Sequence, residues 1–150
     1  MGYYVRIVNA NIYIPASIHG DICKHLHDSG FLTNTDSMRG GSYSDGKCNA
    51  KWYSWVNMET LAKHIHAGDL AAVFRSFGFD VSTLDGNIID LHYDNKTGDE
   101  IELFKSIAPA LPGIHWVEFV GEGSEHYRYY IKNRKFHEIY GDIVFEEPQP

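Results

Sequence analysis

The run from Ile114 to Phe145, IHWVEFVGEGSEHYRYYIKNRKFHEIYGDIVF, constrains the fold more than any other part of the chain. Aromatic and β-branched residues alternate with polar ones between short turns, the pattern of consecutive β-hairpins. Val117 and Phe119 share one face of the first strand, and Tyr127, Tyr129 and Ile131 share one face of the second. Opposed residues of an antiparallel pair point to the same face. The two apolar sets therefore meet only across an odd loop centred on Gly123. That register opposes Phe119 to Tyr127, Val117 to Tyr129, Glu118 to Arg128 and Trp116 to Tyr130. A two-residue loop at Gly123-Ser124 would set Phe119 against Arg128 and mix the faces. The next turn, Lys132–Lys135, suits a two-residue loop with Asn133 at positive φ, which pairs Ile131 with Phe136 and Tyr130 with His137. One face then reads Val117, Phe119, Tyr127, Tyr129, Ile131 and Phe136. The other reads Trp116, Glu118, Arg128, Tyr130 and His137.

Upstream, Tyr3–Ile14 alternates as a strand, and a slip near Asn9–Asn11 would bring Val5, Ile7, Ile12 and Ile14 to one face. Pro15 ends it. Ser17 is placed to cap a helix through about Asp28, with Ile18, Ile22 and Leu26 facing the core. Residues 33–50 are rich in Gly, Ser, Asn and Asp and read as the only long loop. Asn57 can cap a helix from Met58, which Gly68-Asp69 breaks and restarts; Leu61, Ile65, Leu70, Phe74 and Phe77 form its apolar stripe. Phe79–Leu84 and Asn87–Tyr93 read as strands around an Asp85-Gly86 turn. In the second strand Ile89, Leu91 and Tyr93 share a face. Thr97–Glu100 has the form of a capping box before a helix over Ile101–Ala108. The expectation is an α+β fold: an antiparallel sheet with a C-terminal β-meander and helices packed on one face. The 150 residues fit one domain over 1–147 with a tail over 148–150.

Charge is unevenly spread. The net charge is −7, and residues 80–150 carry 6 basic against 14 acidic side chains, whereas residues 1–79 carry 7 against 6. A nucleic-acid binder needs a basic stripe, which is missing, so nucleic acid is not an expected partner. The acidic half would steer a protein partner with a basic surface. The plainer reading is a solvated acidic surface that aids solubility. No apolar run approaches the ~20 residues of a membrane span. The opening MGYYVRIVNANIYIP lacks the form of a signal peptide, and two cysteines fit a reduced, cytoplasmic compartment.

The second face of the hairpins is the sharpest candidate site. Arg128 beside Glu118, flanked by Trp116, Tyr130 and His137, offers fork-like donation and stacking to a planar or anionic ligand. The plainer alternative is a cross-strand ion pair worth ~0.2–1 kcal/mol. Trp52 and Trp55, beside the 33–50 segment, form a further candidate binding patch, although tryptophans at this spacing are more often anchors. The nine histidines show no paired metal-ligand motif, although Cys23 and His27, four residues apart, could share a ligand on one helix face. No nucleophile motif, phosphate loop or calcium loop occurs. No cofactor, metal or catalytic residue is expected.

Three segments carry a resemblance: YVRIVNANIYIPA at the start, GDEIELFKSIAPAL in the acidic helix, and GEGSEHYRYYI in the first hairpin. In order and length the chain resembles a loose group of small proteins, about 150 residues long, encoded by phages and by bacteria carrying mobile elements. It departs at Gly123-Ser124, where an acidic residue would follow Glu122, and at Tyr127, where Trp is common. The group has no settled function, so the resemblance implies an intracellular α+β domain and no catalytic residues. The leading expectation is a non-enzymatic interaction protein, a phage-type inhibitor of a host factor or defence complex acting through its acidic surface. A small-ligand binder or sponge for a nucleotide-like molecule comes second, and a small hydrolase last.

Overall fold

The computed structural model describes residues 2–141; the expected tail and the end of the hairpin run beyond Gly141 lie outside the described residues. Strand β1 spans Tyr4–Asn11 and slips register between Ile7 and Asn9. The slip switches the alternation, so Val5, Ile12 and Ile14 are all buried. Beyond Pro15 a 3-10 turn over Ala16–Ile18 leads into α1, His19–Asp28, which buries Ile22, Cys23 and Leu26. Ser17 does not cap α1, contrary to expectation: the inserted turn places Ile18 at the cap, and no side chain caps it.

The segment 33–50 is not one long loop: a 3-10 turn over Thr35–Ser37 precedes ordered strands. It forms a two-stranded hairpin, β2 (Gly40–Ser44) with β3 (Lys47–Trp52). Asp45 and Gly46 hold φ of 51° and 75°, the left-handed pair that a two-residue hairpin turn requires. Most side chains of this hairpin are exposed, so no hydrophobic alternation announces it in the sequence.

Helix α2 (Met58–His66) is capped by Asn57, whose side chain accepts from Thr60 N–H, and α3 (Leu70–Ser76) by Asp69, which accepts from Ala72 N–H. Leu61, Ile65, Leu70, Phe74 and Phe77 are buried as their spacing predicts. Strands β4 (Asp80–Leu84) and β5 (Asn87–His92) pair around Asp85-Gly86. Ser82 opposes Asp90 while Thr83 opposes Ile88, so Ile89 is an extra residue on β5. This bulge buries both Ile88 and Leu91 and leaves Ile89 exposed, which corrects the expected shared face of Ile89 and Leu91.

After β6 (Asp94–Lys96) comes α4 (Glu100–Ile107), then β7 (Ile114–Gly121), β8 (His126–Lys132) and β9 (Lys135–Gly141). The capping box is modified. Thr97 Oγ1 and Gly98 N–H both donate to the Glu100 carboxyl, but Asp99 is the cap residue and its side chain reaches elsewhere.

The main sheet is antiparallel, in the order β6-β1-β7-β8-β9. Every pair that the hairpin argument demands is present: Glu118 with Arg128, Phe119 with Tyr127, Val117 with Tyr129, Trp116 with Tyr130, Ile131 with Phe136 and Tyr130 with His137. Val117, Phe119, Tyr127, Tyr129 and Ile131 are buried on the side where α4 packs. Phe104 of α4 is the joint between layers, with its ring against Phe74, Phe79 and Tyr129 at 5.5–6.0 Å between centroids. His115, also buried, ties the sheet to its connections: Nε2 faces Pro112 O at 2.9 Å and Nδ1 faces Tyr13 N–H at 3.4 Å. This pairing requires the Nε2–H tautomer and gives the imidazole a structural task. Among the described residues no helix is long and apolar enough to cross a membrane.

Candidate functional site

The outer face of the sheet carries the side chains that the register placed there, and they touch. Arg128 Nε donates to Glu118 Oε1 at 2.7 Å, and Nη1 donates to the Tyr130 hydroxyl at 2.7 Å. The guanidinium carbon lies 4.1 Å from the Trp116 ring centroid, a cation–π stack. The hydrogen bonds that it donates to Tyr130 and Glu118 raise the arginine's pKa further. His126 Nδ1 approaches Glu118 Oε2 at 3.6 Å. His137 stands opposite Tyr130 on β9 and is exposed. Beside this group opens a cleft of about 360 Å³, to which His126 and Ile139 also contribute. Neither belongs to the face read from the sequence, although Ile139 stands opposite Arg128 on β9 and His126 lies on the next same-face pair along β8.

Arg128 is 35% exposed and Glu118 19%, so solvent screens their pair and its two partners hold the guanidinium in place. A double-mutant cycle with Glu118→Gln and Arg128→Met is expected to show a coupling of about 0.2–1 kcal/mol in urea denaturation. A coupling above ~2 kcal/mol would place the pair in a dry environment instead.

A second arrangement lies where the sheet meets the start of α4. Tyr3, Tyr4 and Tyr140 are exposed by 40%, 46% and 67%. Each is tied to a glutamate. Tyr3 donates from its hydroxyl to Glu125, Tyr4 N–H donates to Glu122 Oε1 at 3.0 Å, and the Tyr140 hydroxyl donates to Glu138 Oε1 at 2.7 Å. The contact with Glu125 raises the Tyr3 pKa, and the same contact lowers that of Glu125. The missing Cβ of Gly121 leaves the space that the Glu125 carboxyl occupies, so a side chain there would displace it. The result is a cleft of about 280 Å³ with Tyr3, Tyr140, Glu125 and Glu138 around it, Tyr127 and Tyr129 as its buried aromatic floor, and Arg39 as the cationic lining residue among the described residues. Sequence reasoning found the acidic half but not this clustering, because Tyr3, Glu125 and Tyr140 are brought together only by the sheet.

Trp52 and Trp55 meet different neighbours. Trp52 faces its cross-strand partner Gly40, whose missing Cβ leaves room for the indole. Trp55 is 64% exposed with φ of 62°, a conformation that a bulky side chain rarely adopts. Its ring lies over Gly98, where a Cβ would come within 2.6 Å of Cζ3. Trp55, Tyr4, Arg75, Lys96, Asn95 and Asp99 are among the residues around a larger cleft of about 490 Å³.

Below Trp55 sits Asp99, 2% exposed. Its Oδ2 accepts from Arg39 N–H at 3.0 Å and from Ser54 N–H at 2.8 Å, the two residues that flank the β2–β3 hairpin. One carboxyl group thereby fastens both ends of the hairpin to the start of α4. Oδ1 makes no hydrogen bond among the described residues and lies 3.5 Å from Arg39 Nε.

Among the described residues no group of three or more His, Cys, Asp or Glu side chains is placed to hold a metal ion. Cys23 is buried, and burial, with Asp69 nearby, pushes its thiol up to about 11. The chain matches no protein-family model, no curated protein and no solved structure.

Proposed function

We propose that this chain is a non-enzymatic interaction protein whose acidic, tyrosine-rich cleft receives a basic side chain of a protein partner. The observation that carries the reading is the clustering of Tyr3 and Tyr140 with Glu125 and Glu138 around one cleft, two exposed phenols each donating to a glutamate. Tyrosine gives large contact area at low entropic cost and is enriched in binding hot spots. Ring faces and carboxylates together suit an ammonium or guanidinium group. The charge surplus of residues 80–150 supports the same reading through long-range steering. A host factor is the partner class that the resemblance adds, and the charge surplus asks for a basic surface on it.

The test is affinity capture from host lysate at low salt with the tagged chain, beside a Tyr140→Ala/Glu138→Lys variant. A partner captured by the parent chain, lost by the variant and released as ionic strength rises is the expected result. No partner, or one that the variant captures equally well, removes the proposal.

On the outer face Arg128 is already engaged by Glu118 and Tyr130. An anionic ligand there competes with a carboxylate held at 2.7 Å, which makes that face the weaker place for a small-ligand function.

A further inference from the structure

The cleft beside Trp55 has features that neither the packing nor the proposed partner surface accounts for. Trp55 holds left-handed backbone at φ of 62° while its side chain stays 64% exposed. Such strain in a bulky residue persists only where surrounding structure imposes it, often at ligand sites. Burial does not repay it here, because most of the indole is in water. The same cleft is lined by Arg75 and Lys96, and neither lies within ion-pair distance of a carboxylate among the described residues. Asn95 and Tyr4 add polar and aromatic lining. The two acids on the lining, Asp99 and Glu100, are each 2% exposed and already accept hydrogen bonds from the protein. What the cleft shows to solvent is therefore chiefly the Trp55 and Tyr4 rings, two cations and the Asn95 amide. Its volume of about 490 Å³ falls in the range of small-molecule sites.

We infer that this cleft binds a small ligand combining a planar ring with an anionic group, of the nucleoside monophosphate class, with the ring stacked on Trp55 and the anion held by Arg75 and Lys96. A ring alone finds only the aromatic lining of Trp55 and Tyr4, and an anion alone finds only one arginine and one lysine on flexible stems. A molecule carrying both engages the whole cleft. The site is separate from Trp116 and Arg128 on the outer face, and from the tyrosine cleft that the proposed partner would occupy.

Isothermal calorimetry with the four nucleoside 5′-monophosphates tests the inference, with adenosine and inorganic phosphate as single-group controls. At least one monophosphate is expected to bind more tightly than either control. Trp55→Ala and Arg75→Glu/Lys96→Glu are each expected to weaken it about tenfold or more, the scale of losing one stacked base or its charged anchor. Trp116→Ala is expected to leave it unchanged. Trp55→Gly separates ligand binding from folding: with strain relieved, its Tm should equal or exceed that of the parent while binding is lost. The inference is overturned if none of the four monophosphates binds at millimolar concentration, if phosphate alone binds as well as any of them, or if Trp55→Ala binds like the parent. A Trp55→Gly chain with a clearly lower Tm would overturn it as well, by making Trp55 a structural anchor.

Discussion

Asp99→Ala is expected to destabilise the fold by about 2–5 kcal/mol, since it strips the acceptor from two backbone N–H groups at ~1–3 kcal/mol each. Those groups belong to Arg39 and Ser54, at 3.0 and 2.8 Å from Oδ2. The effect should also be local. A two-stranded hairpin is marginal alone in water, and the residues of β2 and β3 are mostly exposed. Without its fastening, the 40–52 hairpin should become the first site of cleavage in limited proteolysis. Asp99→Asn retains an acceptor oxygen and should lose less. Urea denaturation with a proteolysis time course checks both points. Equal losses in the two variants, or a hairpin as resistant in Asp99→Ala as in the parent, would show that the fastening lies elsewhere.

Phe104→Ala should cost about 3–5 kcal/mol, the usual range for deleting a buried ring whose cavity cannot collapse. Phe104 is 2% exposed, and its neighbours come from three directions: Phe74 on α3, Phe79 before β4 and Tyr129 on β8. No single element can shift to fill the space without breaking another contact. Phe104→Leu should recover a large part of the loss, because it restores volume without the ring geometry. Thermal and urea unfolding of the two variants measure this. A loss under ~1.5 kcal/mol for the alanine variant would mean that the helix and sheet layers are not joined through this residue.

The parts of the fold that were legible in the sequence share one property: apolar periodicity and turn chemistry agree. The C-terminal meander is the clearest case, because only one loop parity keeps Phe119 with Tyr127 and Glu118 with Arg128. The Asp85-Gly86 and Asn133-Arg134 turns were found for the same reason. Asp45-Gly46 carries the same turn signal and adopts the same left-handed pair of conformations. It went unread because GGSYS and KCNAK have no core face to alternate. Ile89 was misplaced because a bulge leaves no mark in composition. The outer-face group could be assembled from register alone, whereas the tyrosine cleft could not. Tyr3 and Glu125 are 122 positions apart, and nothing local predicts their contact.

Gly98 lines both the tyrosine cleft and the Trp55 cleft, one backbone unit shared by two hollows. On one side of it lies the Trp55 ring, and on the other the space between Tyr3 and Tyr140. Its N–H is bonded to Glu100, and the neighbouring Asp99 holds the hairpin, so this segment cannot move without disturbing several groups at once. Any occupant of one hollow that shifts it must alter the affinity of the other, and thermodynamic linkage makes the effect equal in both directions. Two separate hollows would in this way be held in communication through the thickness of a single glycine.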